Sequence, residues 1–224
     1  MVLRVREIDI AVITERENVY SKLKNYLAGD ATISVSHWTY SSALQTPPSD
    51  YPDFVVCDLK SVMDDVIPVA IHVSKSAAGN NTVYLCEQNN VLLTRNWIRL
   101  LNRLGGQACL GADASAEQIL FAVERLQAGI PTLSIQPEMT SAWSRGSCSD
   151  QDEFDDWPLG KLSIRQIEIL AVIAAGCTVR EVAGRLHLSP RTVETHKYEM
   201  MKKLNCNSVV ALCRFAIRHG IIMP

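Results

Sequence analysis

Five short apolar runs alternate with amphipathic stretches along the first 134 residues of the chain. The runs are rich in strand-forming residues and cover 8–14, 33–37, 53–58, 82–86 and 107–110. Between them, apolar residues recur at helical spacing, most clearly in 17–28, 96–104 and 115–129. Strands that are apolar on both faces and separated by helices form parallel sheets that are covered on both sides. The pattern predicts a doubly wound α/β domain with a five-stranded parallel sheet over residues 1–134.

Four helical segments fill the end of the chain, and each begins with a hydroxyl residue suited to an N-cap. These residues are Ser163, Thr178, Ser189 and Ser208. Gln166 and Glu181 follow the first two at capping-box spacing. The short connection between the second and third segments favours a helix-turn-helix. We predict an all-α domain of four helices over residues 161–224.

A polar segment at residues 135–160, rich in Ser, Asp, Gly and Pro, separates the two patterned regions and predicts an acidic linker. The overall charge of −2 conceals an asymmetry between the regions. Residues 161–224 contain ten Lys and Arg but only four acidic residues, whereas residues 1–160 contain twelve basic and twenty acidic residues. A basic C-terminal region indicates contact with a polyanion, although a solvated charged surface would look similar.

Composition excludes several classes of protein. No apolar run approaches the roughly 18 residues of a membrane span, and the N-terminus lacks the pattern of a secretory signal. The seven cysteines are odd in number and form no CxxC pair, which favours reduced thiols in a cytoplasm over disulfides or a zinc site. The reduced thiols lead us to expect a cytoplasmic protein. Because no Gly-rich phosphate loop or pair of nucleophile and base stands out, we also expect that it is not an enzyme.

In a doubly wound sheet, function concentrates at the carboxyl ends of the strands. The third strand, in PDFVVCD, ends on Asp58, and the last unit reads GGQACLGADASAEQILFAVERLQAGIPTLS. With the order of elements, these segments resemble the receiver domain of bacterial two-component response regulators, over roughly residues 6–134. The resemblance implies a flavodoxin-like fold and places Asp58 where the family's aspartate takes a phosphoryl group.

The residues that assist phosphorylation in that family are mostly replaced. Thr14 and Glu15 stand in place of an acidic pair, Cys86 in place of a hydroxyl residue, and Ala112 in place of a lysine. At most one carboxylate, that of Glu15, could share Mg²⁺ with Asp58. We therefore expect a degenerate receiver site, a vestigial phosphoacceptor at Asp58 and no required cofactor.

Two alternatives stay open for the first domain. Asp58 could still be a working phosphoacceptor, with Mg²⁺ held by Glu15 and Asp58. Otherwise the domain could sense a small ligand or a partner protein, or act as a dimerisation module, with the helices at 91–104 and 115–129 as contact faces.

The run GCTVREVAGRLHLSPRTVETHKYEMMKKLN resembles the LuxR-type (NarL/FixJ-type) DNA-binding domain, and the likeness extends over residues 161–222. It implies that Glu194, Thr195 and Tyr198 reach base edges. It also implies phosphate contacts by Ser189, Arg191, Thr192, Lys197 and Lys202. The resemblance implies pairing of two copies through the last helix on duplex DNA. We expect a sequence-specific transcription regulator of the response-regulator type that is not controlled by standard aspartyl phosphorylation.

Overall fold

The computed structural model describes residues 8–59, 66–76, 78–86, 91–134 and 157–222. These residues form two compact units, one built around a β-sheet and one made of helices. In the described segments, no helix combines the length and the apolar character needed to cross a membrane.

The sheet has six parallel strands in the order β2-β1-β3-β4-β5-β6. They are β1 (Ile8–Ile13), β2 (Ile33–Trp38), β3 (Phe54–Asp58), β4 (Thr82–Cys86), β5 (Ala108–Gly111) and β6 (Thr132–Ser134). The predicted doubly wound parallel sheet is confirmed, and β6 adds a sixth strand beside β5. A three-residue edge strand has too few positions for a hydrophobic period, so the sequence pattern did not reveal it.

In the described segments, five α-helices lie in the connections between these strands. They are α1 (Glu17–Tyr26), α2 (Tyr40–Gln45), α3 (Val66–Ser74), α4 (Val91–Arg103) and α5 (Ala116–Gln127). Residues of α1 and α5 pack on one sheet face against Ile10, Val12, Val56, Leu85 and Leu110. Alternate strand residues such as Ala11, Ile13, Val55 and Cys57 are also fully buried. Burial on both faces explains why the strands read as continuous apolar runs.

Residues 157–222 contain four α-helices. They are α6 (Ile164–Ala174), α7 (Val179–Arg185), α8 (Pro190–Lys203) and α9 (Val209–Arg218). Each predicted hydroxyl N-cap accepts a hydrogen bond from a backbone N–H in the first turn. Both capping boxes, Ser163 with Gln166 and Thr178 with Glu181, are reciprocal as predicted. Local side-chain chemistry therefore fixes where these helices begin.

A tight turn joins α7 to α8. The N–H of Leu188 donates to the Ala183 carbonyl over 2.9 Å, and His187 takes a φ of +51°. This left-handed region favours Gly or Asn, so His187 carries a backbone cost there. Val182 of α7 and Val193 of α8 are fully buried, as the predicted helix-turn-helix requires.

The end of the predicted linker is folded. Residues 158–161 form a 3₁₀ helix; Leu159 within it and Trp157 just before it are buried. Residues 135–156 lie outside the described residues, so the linker itself stays a prediction.

Candidate functional sites: the buried aspartate and the outer face of α8

Asp58 ends β3 and is fully buried. Arg16 contacts both of its carboxylate oxygens, with 2.6 Å from Nε to Oδ2 and 2.6 Å from Nη2 to Oδ1. The Thr14 hydroxyl also donates to Oδ2, over 2.8 Å. The Tyr40 hydroxyl donates to the Asp58 backbone carbonyl. A bidentate, charge-assisted pair of this kind neutralises the buried carboxylate within the protein.

Arg16 lies in the loop after β1, and its side chain is 24% exposed. Its backbone N–H donates to the Thr14 hydroxyl over 2.9 Å, which fixes the start of the loop. The guanidinium Nη2 also lies 3.5 Å from the backbone carbonyl of Ala112. Sequence reasoning missed Arg16. The available signal was a basic residue just beyond β1, the strand that pairs with β3 through Ile13 and Cys57.

Glu15, the other predicted metal ligand, is engaged elsewhere. Its Oε1 accepts the backbone N–H of Tyr40 over 3.0 Å, at the start of α2. Within the segments that the structure describes, no group of three His, Cys, Asp or Glu is arranged to hold a metal ion. The site does not fit Mg²⁺, because the guanidinium occupies both Asp58 oxygens and supplies a positive charge itself. In this arrangement the Glu15 and Asp58 carboxylates each have protein partners of their own.

Cys86 and Ala112 lie at the same sheet edge, where they were predicted. The Cys86 sulfur is 3.2 Å from the sulfur of Cys109 on β5. This hydrogen bond, together with burial, raises the pKa of Cys86 well above that of an ordinary thiol. Cys86 therefore stays protonated at neutral pH, and Ala112 contributes only its backbone to the site.

The outer face of α8 carries a continuous exposed stripe. Its residues, spaced three or four apart along one helical face, are Arg191, Glu194, Thr195, Tyr198 and Lys202. Val193 and Met200 on the opposite face are fully buried. Tyr198 is 71% exposed. The structure thus brings the predicted base-reading residues together on one accessible surface with basic residues at both ends.

The other predicted interface residues lie at or beside this stripe. The Ser189 hydroxyl accepts the N–H of Thr192 over 3.0 Å, and the two hydroxyls are 2.7 Å apart. Lys197 Nζ lies 2.5 Å from Glu194 Oε2, in an ion pair between residues that are three apart along the helix. Both Lys197 and Glu194 are thus paired with each other on the α8 surface.

A polar network that sequence reasoning missed holds α8 against α6. Gln166 donates from Nε2 to Glu199 over 2.9 Å, and Lys203 donates to Gln166 Oε1 over 2.8 Å. His196 is half-buried, and its Nδ1 lies 3.8 Å from the same Glu199 carboxylate. Because Gln166 also completes its capping box, one side chain ties the start of α6 to α8.

Comparison with known proteins found a matching family model and similar response regulators. The family model described as bacterial regulatory proteins, luxR family, matches residues 160–216, which contain α6 to α8 and most of α9. Response regulator UvrY of Escherichia coli strain K12 is 30% identical over 117 residues, 52% of either chain. Response regulator GacA of Pseudomonas aeruginosa is 32% identical over 122 residues, 54% of this chain and 55% of GacA. The chain spans about half the length of these two relatives.

Two solved structures share the fold. RcsB of Salmonella typhimurium gives a TM-score of 0.58 at 17% identity, over 96% of this chain and 98% of RcsB. RcsB bound to the promoter P1flhDC in the presence of the phosphomimetic BeF3⁻ gives 0.54 at 16% identity, over 94% and 98%.

A further relative is matched over most of its own length. The uncharacterized response regulatory protein YgeK of Escherichia coli strain K12 is 32% identical over 125 residues, 55% of this chain and 78% of YgeK. Together with the luxR-family match, the receiver-like sheet and the helix-turn-helix, this similarity means that the chain belongs to the NarL/FixJ (LuxR-type) family of bacterial response regulators.

Proposed function

We propose that the protein is a sequence-specific DNA-binding transcription regulator of the response-regulator type, with an atypical receiver domain that does not use aspartyl phosphorylation. The observation that carries DNA binding is the exposed stripe on α8, from Arg191 to Lys202. In a recognition helix, phosphate contacts position the helix and base-edge contacts specify the sequence. The stripe offers basic residues for phosphates at its two ends, Arg191 and Lys202, with Glu194, Thr195 and Tyr198 between them for base edges.

The start of α8 is suited to a backbone phosphate. Pro190 at the first helical position removes one N–H, and the Ser189 hydroxyl accepts another. The remaining first-turn N–H groups and the positive end of the helix dipole favour an anion. Arg191, exposed in the same turn, adds a full positive charge. RcsB, a protein with the same fold, has been solved bound to promoter DNA.

Salt dependence of binding tests this function. Each lost phosphate contact reduces the slope of log affinity against log salt by about 0.9. We expect Arg191→Ala and Lys202→Ala in the full chain each to flatten this slope on mixed-sequence duplex DNA, measured by fluorescence anisotropy. Lys24→Ala, at an exposed position on α1, is the matched control and should leave the slope unchanged. Equal slopes for all four proteins would contradict a DNA contact by α8.

The state of Asp58 supports independence from phosphorylation. A phosphoacceptor must present a free carboxylate oxygen to the incoming phosphorus, and Mg²⁺ must neutralise the added charge. Both Asp58 oxygens contact Arg16, and the carboxylate is fully buried. We infer that Arg16 is a permanent counter-ion, so that the charge balance of the site is set by the chain itself and not by a phosphoryl group.

Intact mass spectrometry tests this second statement. The full chain is incubated with Mg²⁺ and acetyl phosphate, alongside Asp58→Asn as the control that has no acceptor. We expect no phosphoryl adduct on either protein. An adduct on the unsubstituted chain that is absent from Asp58→Asn would make Asp58 a working phosphoacceptor and overturn the proposal.

Self-association on DNA is the third part of the proposal. Val209, Val210 and Ile217 of α9 are 40%, 69% and 37% exposed, which is a large apolar surface for one short helix. Pairing two copies through α9 would cover this surface and match a two-fold symmetric site. Contacts of α4 and α5 with a ligand or partner protein stay a prediction.

A further inference from the structure

We propose that α8 reads thymine methyl groups next to a base that carries an exocyclic amino group. In this assignment Thr195 and Tyr198 contact the methyl groups, and Glu194 accepts the amino hydrogen bond. The inference rests on the DNA-binding function proposed above and specifies which base pairs this helix prefers.

Thr195 presents its methyl group to the outside. Its hydroxyl donates to the Arg191 carbonyl over 3.0 Å, so the only hydrogen-bond donor of the side chain is used within the helix. Such back-bonding turns the hydroxyl toward the helix backbone and leaves the γ-methyl as the outer group. Because Thr195 is exposed at the middle of the stripe, this methyl is available to an apolar group in the groove.

Tyr198 adds a second apolar surface directly beside it. The two residues are three apart and therefore neighbours on one helical face. Tyr198 is 71% exposed and makes no hydrogen bond or ion pair among the described residues. An aromatic ring in this position gains free energy when apolar surface covers it. In the major groove, the apolar group on a base edge is the C5-methyl of thymine.

Glu194 selects the neighbouring base by charge. Its side chain is 52% exposed, and its ionised carboxylate can only accept hydrogen bonds. The amino groups of cytosine and adenine donate in the major groove, whereas guanine presents two acceptors that would repel a carboxylate. Lys197, 2.5 Å away, offsets the repulsion between Glu194 and the DNA phosphates.

The three side chains are close enough to read adjacent base pairs. Residues 194, 195 and 198 span about 6 Å along the helix axis at about 1.5 Å per residue. Successive base pairs are about 3.4 Å apart, so this distance corresponds to roughly two steps. The centre of the stripe therefore fits a short block of thymine beside cytosine or adenine, while the donors suited to guanine, Arg191 and Lys202, stand at its ends.

Replacement of thymine by deoxyuridine tests the inference, since it removes only the C5-methyl. The full chain first selects binding sequences from a random 24-base-pair duplex library. Each thymine of the selected sequence is then replaced singly. We expect about a three- to fivefold loss of affinity at two or more thymines, because each replacement removes one methyl group that the protein would otherwise bury.

Two variants assign these losses to side chains. Thr195→Ser keeps the hydroxyl and lacks the methyl, and Tyr198→Ala lacks the ring. With each variant, replacing the thymine that the substituted side chain contacts by deoxyuridine should no longer lower the affinity. Tyr26→Ala, which removes a comparably exposed tyrosine of α1, should keep every uridine effect. For Glu194→Ala, we expect a repeated selection to lose the preference for cytosine or adenine beside the thymine.

The possible results distinguish the inference from the function on which it rests. Strong binding to a selected sequence, with less than a twofold change at every uridine, would overturn methyl reading and leave DNA binding intact. Selection of guanine where thymine is expected opposite Thr195 and Tyr198 would also overturn methyl reading and leave DNA binding intact. Failure of the full chain to retain or enrich any duplex would overturn the DNA-binding proposal and this inference with it.

Discussion

The Arg16–Asp58 pair predicts that the two partners contribute unequally to stability. Arg16→Met keeps the length of the side chain but removes the guanidinium. It removes the bidentate guanidinium from a fully buried carboxylate that also accepts the Thr14 hydroxyl. Removing one partner of a buried ion pair costs about 3–5 kcal/mol, chiefly because the desolvation of the remaining charge is no longer offset by that pair. We expect Arg16→Met to lower the free energy of unfolding of the sheet unit by about this amount.

Asp58→Asn should cost much less, about 1–2 kcal/mol. The arginine left behind is 24% exposed and can turn toward water, and the asparagine keeps the shape of the acid. In the double variant no charged carboxylate remains buried. It should therefore be more stable than Arg16→Met alone, with a coupling free energy within the range of about 0.5–3 kcal/mol found for contacting residues.

Hydrogen exchange of the full chain measures this effect locally. Peptides from β1 and β3 report the opening of the sheet unit separately from the helical unit, across a urea series. Arg125→Met is the matched control, since Arg125 on α5 donates to Thr132 without pairing to a buried acid. Its cost should stay below about 1 kcal/mol. Equal losses of unfolding free energy for Arg16→Met and Asp58→Asn would refute the reasoning that burial of the Asp58 charge makes the Arg16 substitution the more destabilising one.

Three further predictions follow from particular residues. His187→Gly should stabilise the helical unit by about 0.5–1 kcal/mol in urea unfolding, because glycine tolerates the left-handed turn before α8; a loss of stability would contradict this. Brief alkylation with iodoacetamide at pH 8 should modify the half-buried Cys177 and spare Cys86, whose raised pKa and burial keep it protonated and covered, as peptide mass spectrometry would detect. Val210→Asp should weaken binding to a palindromic site at least about tenfold and leave binding to a single half-site unchanged in anisotropy titrations, since it places a charge in the proposed α9 contact. An equal effect on both sites would argue against pairing through α9.

Much of the fold could be predicted because its signals are local. Apolar runs and helical periods identified the first five strands and the main helices to within a few residues. Hydroxyl residues identified the start of each C-terminal helix, since N-caps act on backbone groups only two or three residues away. Strand β6 escaped prediction because three residues at a sheet edge carry no period of their own.

The exposed stripe on α8 was also predictable. Helical spacing alone separates Arg191, Thr195, Tyr198 and Lys202 from the buried Val193, and the structure has them on opposite faces. What spacing could not reveal is which groups these side chains leave available. The hydroxyl of Thr195 is bonded to the backbone and Glu194 is paired with Lys197, and both facts depend on rotamers.

By itself, the sequence predicted the order of strands and helices along the chain, the position of Asp58 at the end of β3, and the presence of Thr14, Cys86 and Ala112 at the same edge of the sheet. Only the tertiary structure decided what neutralises that acid. Arg16 and Asp58 are 42 residues apart and meet because β1 and β3 are adjacent in the sheet. No local period encodes such a contact, since it depends on strand order and on the reach of one long side chain across the sheet edge.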